Sequence, residues 1–77
     1  MTSHTDIGAM VAFHRKQGKL SRKELARLSG VGKTVIYDIE HGKLTIQLAT
    51  LLKVFHVLNI RLTFESPLMS LFKDEKS

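Results

Sequence analysis

The feature of this 77-residue chain that most limits its fold is a pair of short helical patterns separated by a glycine-containing turn. Ser21 is followed three residues later by Glu24, which is a capping box: each side chain satisfies a free backbone N–H group of the other residue. The box predicts a helix that begins at Arg22 and ends near Gly30. An apolar stripe over residues 33–41 predicts another helix directly afterwards. Two short helices joined by so tight a turn are typical of a helix-turn-helix.

Further helical patterns lie on both sides of this pair. Apolar residues recur at helical spacing over residues 6–17 and predict a first helix, which Gly18 ends. The same spacing over residues 45–57 predicts a fourth helix, with Thr45 as its N-cap. We expect the leucines of the fourth helix to pack in the core.

After the fourth helix the hydrophobic period changes. Ile60, Leu62 and Phe64 alternate with polar residues, which predicts a half-buried strand that Pro67 ends. No other segment alternates convincingly, and the backbone groups of a strand need a partner. The economical partner is the same strand of a second copy, paired antiparallel across a two-fold axis. The alternative is an irregular extension over the core.

These patterns predict one mainly α-helical domain of four to five helices with one C-terminal β-strand that pairs across a dimer. Its parts are a flexible N-terminus (1–5), the helix-turn-helix domain (6–58), a dimerisation strand (59–66) and a C-terminal tail (67–77). The chain is short and has no cysteine, so it lacks a large core and disulfide bonds. Dimerisation would add buried area.

The positive charge is concentrated in one segment. The chain carries 12 Lys and Arg against 7 Asp and Glu, a net charge of +5. Residues 14–43 alone carry a net +5, whereas residues 44–77 carry only +1. A solvated basic surface is one interpretation. A surface facing phosphate is the better one, because the segment contains the paired helices.

The paired helices resemble the Xre/Cro-type helix-turn-helix family. The resemblance is carried by residues 20–26 (LSRKELA), 30–32 (GVG) and 36–42 (IYDIEHG), and it covers about residues 6–66. It implies a lambda-repressor-like DNA-binding domain. The Gly-Val-Gly turn and the strand after the fourth helix are most similar to the HipB-like antitoxin branch.

Three residues depart from the usual pattern of the family. Arg22 replaces a glutamine that touches phosphate or buttresses a base contact in relatives, and arginine also holds phosphate well. Gly32 replaces a serine N-cap and offers no side-chain cap. Tyr37 replaces a serine and places a phenol near the DNA or near a dimer partner. The resemblance also implies a structural ion pair between Arg15 and Glu40.

The resemblance makes the third helix the recognition helix. Its nine predicted residues span roughly 13 Å, comparable with a major groove about 12 Å wide. Ile36 and Ile39 are expected to face the core, which leaves the start of the helix to reach base edges. Lys33 is directed at guanine, Thr34 at a thymine methyl group or a base edge, and Val35 at a thymine methyl group. Phosphates are expected at the start of the second helix, where free N–H groups favour them, and at Lys43. The expected DNA contacts are Ser21, Arg22, Lys23, Lys33, Thr34, Val35, Tyr37 and Lys43.

Two copies of the chain fit a palindromic operator in double-stranded DNA. A compact chain of this length has a radius of gyration of about 11–12 Å, so two recognition helices would lie roughly 30 Å apart. Consecutive major grooves on one face of DNA are about 34 Å apart. The expected dimerisation residues are Ile60, Leu62 and Phe64.

Other chemistries have no supporting pattern. The four histidines lack metal-ligand spacing, so no metal or cofactor is expected. No phosphate-binding loop, carboxylate pair or catalytic triad is recognisable, so we expect no enzymatic activity. The apolar run at residues 7–13 follows an acidic residue and is too short for a signal peptide or a membrane span. We therefore expect a cytoplasmic protein without a membrane partner.

The leading hypothesis is a homodimeric, operator-binding repressor. Resemblance to HipB-like antitoxins implies autorepression of a toxin–antitoxin operon and binding of a HipA-like serine/threonine kinase toxin. One alternative is a Cro-like phage or element regulator without a toxin partner. Another is a protein-interaction module without DNA binding. RNA binding is disfavoured, because Tyr37 is the sole candidate for an exposed aromatic that stacks on bases.

Overall fold

A computed structural model describes residues 4–76, and side chains from residue 7 to residue 72. It contains the five helices α1 (His4–Gln17), α2 (Arg22–Ser29), α3 (Lys33–Glu40), α4 (Leu48–Val57) and α5 (Met69–Lys76). The extensive contacts between helices are those of α1 with α3, α2 with α3 and α2 with α4. The mainly helical prediction is therefore confirmed.

Each of the first four helices contributes one completely buried side chain to the core. These side chains are Val11, Leu25, Ile36 and Val54, in chain order. Each one stabilises the fold by roughly 1.5–3 kcal/mol through removal of its apolar surface from water. All four helices therefore take part in one core. The expectation that the leucines of the fourth helix pack in the core is wrong for Leu48 and Leu52, which are 56% and 41% exposed, whereas Leu51 packs against the core.

The starts of the helices agree with the sequence at two of three positions. The Ser21 hydroxyl accepts the Glu24 backbone N–H at 3.0 Å, and the Glu24 carboxylate accepts the Ser21 backbone N–H at 2.9 Å, so the capping box is confirmed. α3 begins after Gly32 without a side-chain cap, as expected. The prediction that Thr45 caps the fourth helix is wrong. α4 begins at Leu48, because Ile46 first turns toward the core from an irregular segment.

The first four helices end in the same way, with one residue in the left-handed backbone region. These residues are Lys19, Gly30, Gly42 and Asn59. In each case the following N–H group bonds a carbonyl five residues earlier, at 2.9–3.1 Å, which is the Schellman arrangement. α1 stops before Gly18, as predicted, but the left-handed residue that turns the chain is Lys19.

The C-terminal segment does not form a strand within the single chain. Residues 60–66 belong to no helix or strand, so the predicted strand and its pairing are unconfirmed. A lone strand has no neighbour to bond in one copy, which is the physical reason for its absence there. Where the sequence predicted a tail, α5 forms over Met69–Lys76. At the other end, residues 4 and 5 of the predicted flexible N-terminus belong to α1, and residues 1–3 lie outside the described residues.

The C-terminal segment also makes the molecule longer than the sequence predicts. The radius of gyration is 14.3 Å and the longest dimension is 41 Å. Both exceed the expectation for a compact chain of this length, about 11–12 Å and roughly 30 Å. In keeping with this, residues 61–68 are all exposed, and among the described residues α5 makes no extensive contact with α1–α4.

Candidate nucleic-acid interface

A three-residue turn positions the start of α3 at the surface. Gly30 turns the chain with a φ of 75°, and Gly32 is extended with φ −74° and ψ 151°. Ile36 and Ile39 are buried in the core, as expected, and this directs the opposite face of α3 outward. Lys33 is therefore exposed at the first position of the helix.

Four of the predicted DNA contacts meet on this outer face. Arg22 from α2 and three residues of α3, Lys33, Thr34 and Tyr37, line a shallow, open depression. It presents two cations, a hydroxyl and an aromatic ring on a single surface. Val35 is half-buried and packs against the core, so it offers less of its side chain to a ligand than Thr34 does.

Glu40, at the end of α3, is bound by two arginines. Arg15 Nε donates to Glu40 Oε2 at 2.7 Å, and Arg15 Nη2 donates to Oε1 at 3.1 Å. The ion pair that the resemblance implied is therefore present. Arg22 Nε also donates to Oε1, at 2.9 Å, a contact that the sequence analysis missed. One carboxylate thus joins α1, α2 and α3.

The environment of Glu40 keeps its carboxylate charged. Its side chain is only 2% exposed, and that of Arg15 is 10% exposed. Burial acts to raise the pKa of Glu40, but the hydrogen bonds and positive charges of Arg15 and Arg22 outweigh it and lower the pKa. Arg15 Nη1 also donates to the Leu20 carbonyl at 3.0 Å, so both partners are well satisfied.

The ring of Tyr37 contacts the side chains of His41 and Arg22. It lies 3.8 Å from the His41 ring, centroid to centroid, with the two planes 19° apart. The Arg22 guanidinium carbon lies 5.3 Å from the centroid of the Tyr37 ring. His41 is itself held, because its Nδ1 donates to the Tyr37 carbonyl at 2.7 Å. Tyr37 is nevertheless 49% exposed and lies beside the start of α3.

The other predicted phosphate contacts lie around this depression rather than in it. Ser21 and Lys23 are exposed at the start of α2, although the Ser21 hydroxyl is already used in the capping box. Lys43 lies after the far end of α3, with its Nζ 3.4 Å from Asp38 Oδ2. An exposed pair of this kind is weak and leaves the ammonium available to another anion.

Gly8 is a structural requirement of the site that the sequence analysis missed. A Cβ atom at this position would lie 2.6 Å from the Ile39 carbonyl oxygen and 2.7 Å from that of Glu40. These are backbone atoms, so they cannot move aside as a flexible side chain would. Glycine therefore allows α1 to approach the end of α3. A glycine inside a helical pattern was the available signal.

The predicted dimerisation residues differ in their surroundings. Ile60 is partly buried and packs against the core. Leu62 and Phe64 are exposed, as are Leu68 and Leu71 nearer the C-terminus. The segment therefore displays apolar surface that its own core does not cover.

The described residues contain no helix that is long and apolar enough to cross a membrane. Nor do they contain a group of three or more histidine, aspartate or glutamate side chains placed to hold a metal ion.

Comparison with known sequences identifies the family. A helix-turn-helix family model matches residues 13–64, which is more than half of the chain. The chain is also 40% identical over 62 residues to y4mF of Sinorhizobium fredii, an uncharacterised HTH-type transcriptional regulator. That match covers 80% of this chain and 82% of y4mF.

Solved structures share the fold. The HipB–O4 20mer complex and the HipA–HipB–O2–O3 complex each match with a TM-score of 0.76 and 22% identity, covering 87% of this chain and 94% of the other. The SinR protein/SinI protein complex matches with a TM-score of 0.64 and 28% identity, covering 92% of this chain and 79% of the other. Together with the sequence matches, these findings place the chain in the Xre/Cro-type helix-turn-helix family of transcriptional regulators.

Proposed function

We propose that this chain is a sequence-specific DNA-binding repressor that binds a palindromic operator as a homodimer. The observation that carries the proposal is the outward-facing start of α3. Lys33 and Thr34 are exposed there, beside Arg22, while Ile36 and Ile39 anchor the opposite face of the helix in the core. This is how a recognition helix presents side chains to the major groove.

Base contacts and phosphate contacts are made by different residues. Lys33 donates to guanine O6 and N7, and Thr34 and the exposed part of Val35 contact thymine methyl groups. The phosphate contacts are made by Ser21, Arg22, Lys23 and Lys43, which set the register of the protein on the duplex. The net charge of +5 over residues 14–43 supports this division, because the whole excess lies on the segment that would face the phosphates.

Dimerisation would use the exposed C-terminal segment. In this segment Leu62, Phe64, Leu68 and Leu71 are 42–69% exposed, so packing them against a second copy would remove apolar surface from water. Antiparallel pairing of residues 60–65 from two copies would cover Leu62 and Phe64 and satisfy the backbone of the strand.

The biological setting we propose is that of a HipB-like antitoxin. Such a protein represses its own operon and binds a HipA-like serine/threonine kinase toxin. The support is the similarity of fold to HipB, which has been solved in complex with HipA and with a 20mer. A Cro-like regulator without a toxin partner is the competing proposal. Co-purification of a kinase, or a kinase gene next to that of this chain, would separate the two.

A footprint on the DNA upstream of the gene, combined with a native mass, tests the central proposal. The wild type should protect a palindrome as a dimer. The double variant Lys33→Ala with Thr34→Ala should lose protection, because each good base contact contributes roughly 1–3 kcal/mol of discrimination. Lys53→Ala is the matched control, since Lys53 is an exposed cation on α4 away from the depression. Unchanged protection by the double variant would contradict the assignment of α3.

A further inference from the structure

We infer that Tyr37 is a positioning residue for Arg22. In this assignment the Tyr37 ring and the Glu40 carboxylate hold the Arg22 guanidinium in place, so that its free edge binds a DNA phosphate. Tyr37 then strengthens DNA binding through Arg22 and not through a contact of its own. The inference rests on the proposed DNA-binding function and goes beyond it, because it assigns a role to a residue whose direction the sequence left open.

The contacts of Arg22 divide its guanidinium into a held edge and a free edge. Nε is bound to Glu40 Oε1 at 2.9 Å, and the guanidinium carbon lies 5.3 Å from the centroid of the Tyr37 ring. Within the part of the chain that the structure describes, Nη1 and Nη2 of Arg22 make no hydrogen bond. A guanidinium bound through Nε still presents its Nη1–Nη2 edge, which matches two oxygens of a phosphate. The Arg22 side chain is 37% exposed, so a ligand can reach this edge.

Both supports of Arg22 are themselves immobilised. Arg15 binds both oxygens of Glu40, and the Glu40 side chain is almost fully buried. The second support, the Tyr37 ring, is stacked on the His41 ring with the centroids 3.8 Å apart, and His41 Nδ1 donates to the Tyr37 carbonyl. An arginine held in this way has already lost much of its rotamer freedom, so binding a phosphate costs less entropy than it would for a free side chain.

The charges of the cluster favour an anion despite the presence of a carboxylate. Arg15 and Arg22 together carry two positive charges against the single negative charge of Glu40. The buried Arg15 neutralises Glu40, which leaves the charge of Arg22 available at the surface. Lys33 lines the same depression and adds a second exposed cation. A phosphate placed against the free edge of Arg22 therefore meets a net positive field.

A double-mutant cycle separates a positioning role from direct contact with DNA. The probe is a mixed-sequence 25-base-pair duplex (a length chosen for the assay), titrated at several salt concentrations, because phosphate contacts contribute to non-specific binding. Arg22→Ala should weaken binding and reduce the salt slope by about 0.9, the value for one phosphate. Tyr37→Leu should weaken binding roughly three- to tenfold in the wild-type background, as expected for losing one supported contact. It should have no further effect in the Arg22→Ala background.

Two companion variants sharpen the cycle. Tyr37→Phe should recover most of the affinity lost in Tyr37→Leu, because the ring and not the hydroxyl supports Arg22. Phe13→Leu is the matched control. Phe13 is an aromatic side chain on α1 that is 59% exposed and packs edge-on against His14, whereas the ring that Arg22 contacts is that of Tyr37. Equal losses from Tyr37→Leu in both backgrounds, or failure of Tyr37→Phe to recover affinity, would overturn the inference.

A measurement without DNA tests the support of the Arg22 side chain by Tyr37 separately from phosphate binding. In the free protein, ¹⁵N relaxation of the Arg22 Nε–H group should report an ordered side chain that becomes mobile in Tyr37→Leu. Equal order in the two proteins would also overturn the inference. If the wild type binds no duplex at low salt, the proposed function fails and this assignment fails with it. If the wild type binds DNA but the effects of Tyr37→Leu and Arg22→Ala are additive, the positioning role of Tyr37 is wrong and the proposed DNA-binding function stands.

Discussion

The N-terminal region (residues 4–57) and the C-terminal region (residues 58–76) differ in how far their apolar side chains are buried. In the N-terminal region each of the four helices buries one side chain completely in a shared core. In the C-terminal region residues 61–68 are all exposed, and Phe64 reaches 69%. Charge follows the same division, with the whole net excess in residues 14–43. The N-terminal region contains the buried core and presents the cations, although Leu28, Leu48 and Leu52 in it are also exposed. In the C-terminal region the apolar side chains that follow Ile60 lie outside the core and are suited to a second protein surface.

The largest expected effect tests how strongly Glu40 ties the N-terminal region together. Glu40→Gln should lower the free energy of unfolding by about 3–5 kcal/mol, because it leaves the buried Arg15 guanidinium without its counter-charge. Urea unfolding measures this loss. Glu24→Gln is the control, since the Glu24 carboxylate is exposed in the capping box, and its effect should be much smaller. Equal losses of unfolding free energy in the two variants would show that the ion pairs of Glu40 stabilise the fold no more than an exposed capping residue does.

The next effect concerns the close approach of α1 to α3. Gly8→Ala should destabilise the protein by about 1–3 kcal/mol, because the added methyl group meets two backbone carbonyls that cannot move aside. Thermal and urea unfolding both report it. Gly18→Ala is the matched control: its Cβ would lie no closer than 3.5 Å to its neighbours, so little change is expected. If the two variants lose the same amount of unfolding free energy, the close approach of α1 to α3 does not require glycine at position 8.

Acid should weaken the N-terminal region through the same glutamate. The pKa of Glu40 is lowered in the folded protein, so the unfolded chain binds a proton more readily as the pH falls below about 4.3. The stabilisation is complete above that ordinary pKa, and it is lost as the pH falls through the lowered one. Unfolding in urea from pH 7 to pH 3 should show this decline, and Glu40→Gln should show a shallower one. An identical pH dependence in the two proteins would contradict the role of Glu40.

The smallest effect on the folded monomer is expected in the C-terminal region. The double variant Leu62→Asp with Phe64→Asp should change the unfolding free energy of the monomer by less than about 0.5 kcal/mol, as is usual for surface substitutions. It should nevertheless halve the native mass, because charged side chains would disrupt the proposed strand pairing. Analytical ultracentrifugation over a range of concentrations measures the mass. An intact dimer in this variant would show that the dimer interface lies in another part of the chain.

Much of the fold follows from signals that act over a few residues. The capping box at Ser21 and the left-handed Gly30 bracket α2 as predicted, because both depend on local backbone geometry. The start of α4 could not be predicted in the same way. Thr45 is a good N-cap by type, but packing of Ile46 against the core delays the helix to Leu48. Local propensity yields here to tertiary contact.

In the candidate site, too, the sequence predicts what depends on one helix and misses what depends on contacts between helices. The exposure of Lys33 and Thr34 follows from helical periodicity, because Ile36 and Ile39 must face the core. The contact of Arg22 with Glu40 joins residues 18 positions apart, and no spacing rule relates two residues on different helices. The position of the Arg22 guanidinium over the Tyr37 ring likewise depends on how α2 packs against α3.

By itself, the sequence determined the paired helices, the segment that carries the charge and the face of α3 that turns outward. These follow from hydrogen-bond capping and from burial of apolar side chains at a helical period, both of which are local. Only the tertiary structure decided that Glu40 binds two arginines, that position 8 requires glycine, and that residues 61–68 stay outside the core. Those outcomes depend on distances between separate helices, and packing of the whole chain sets these distances.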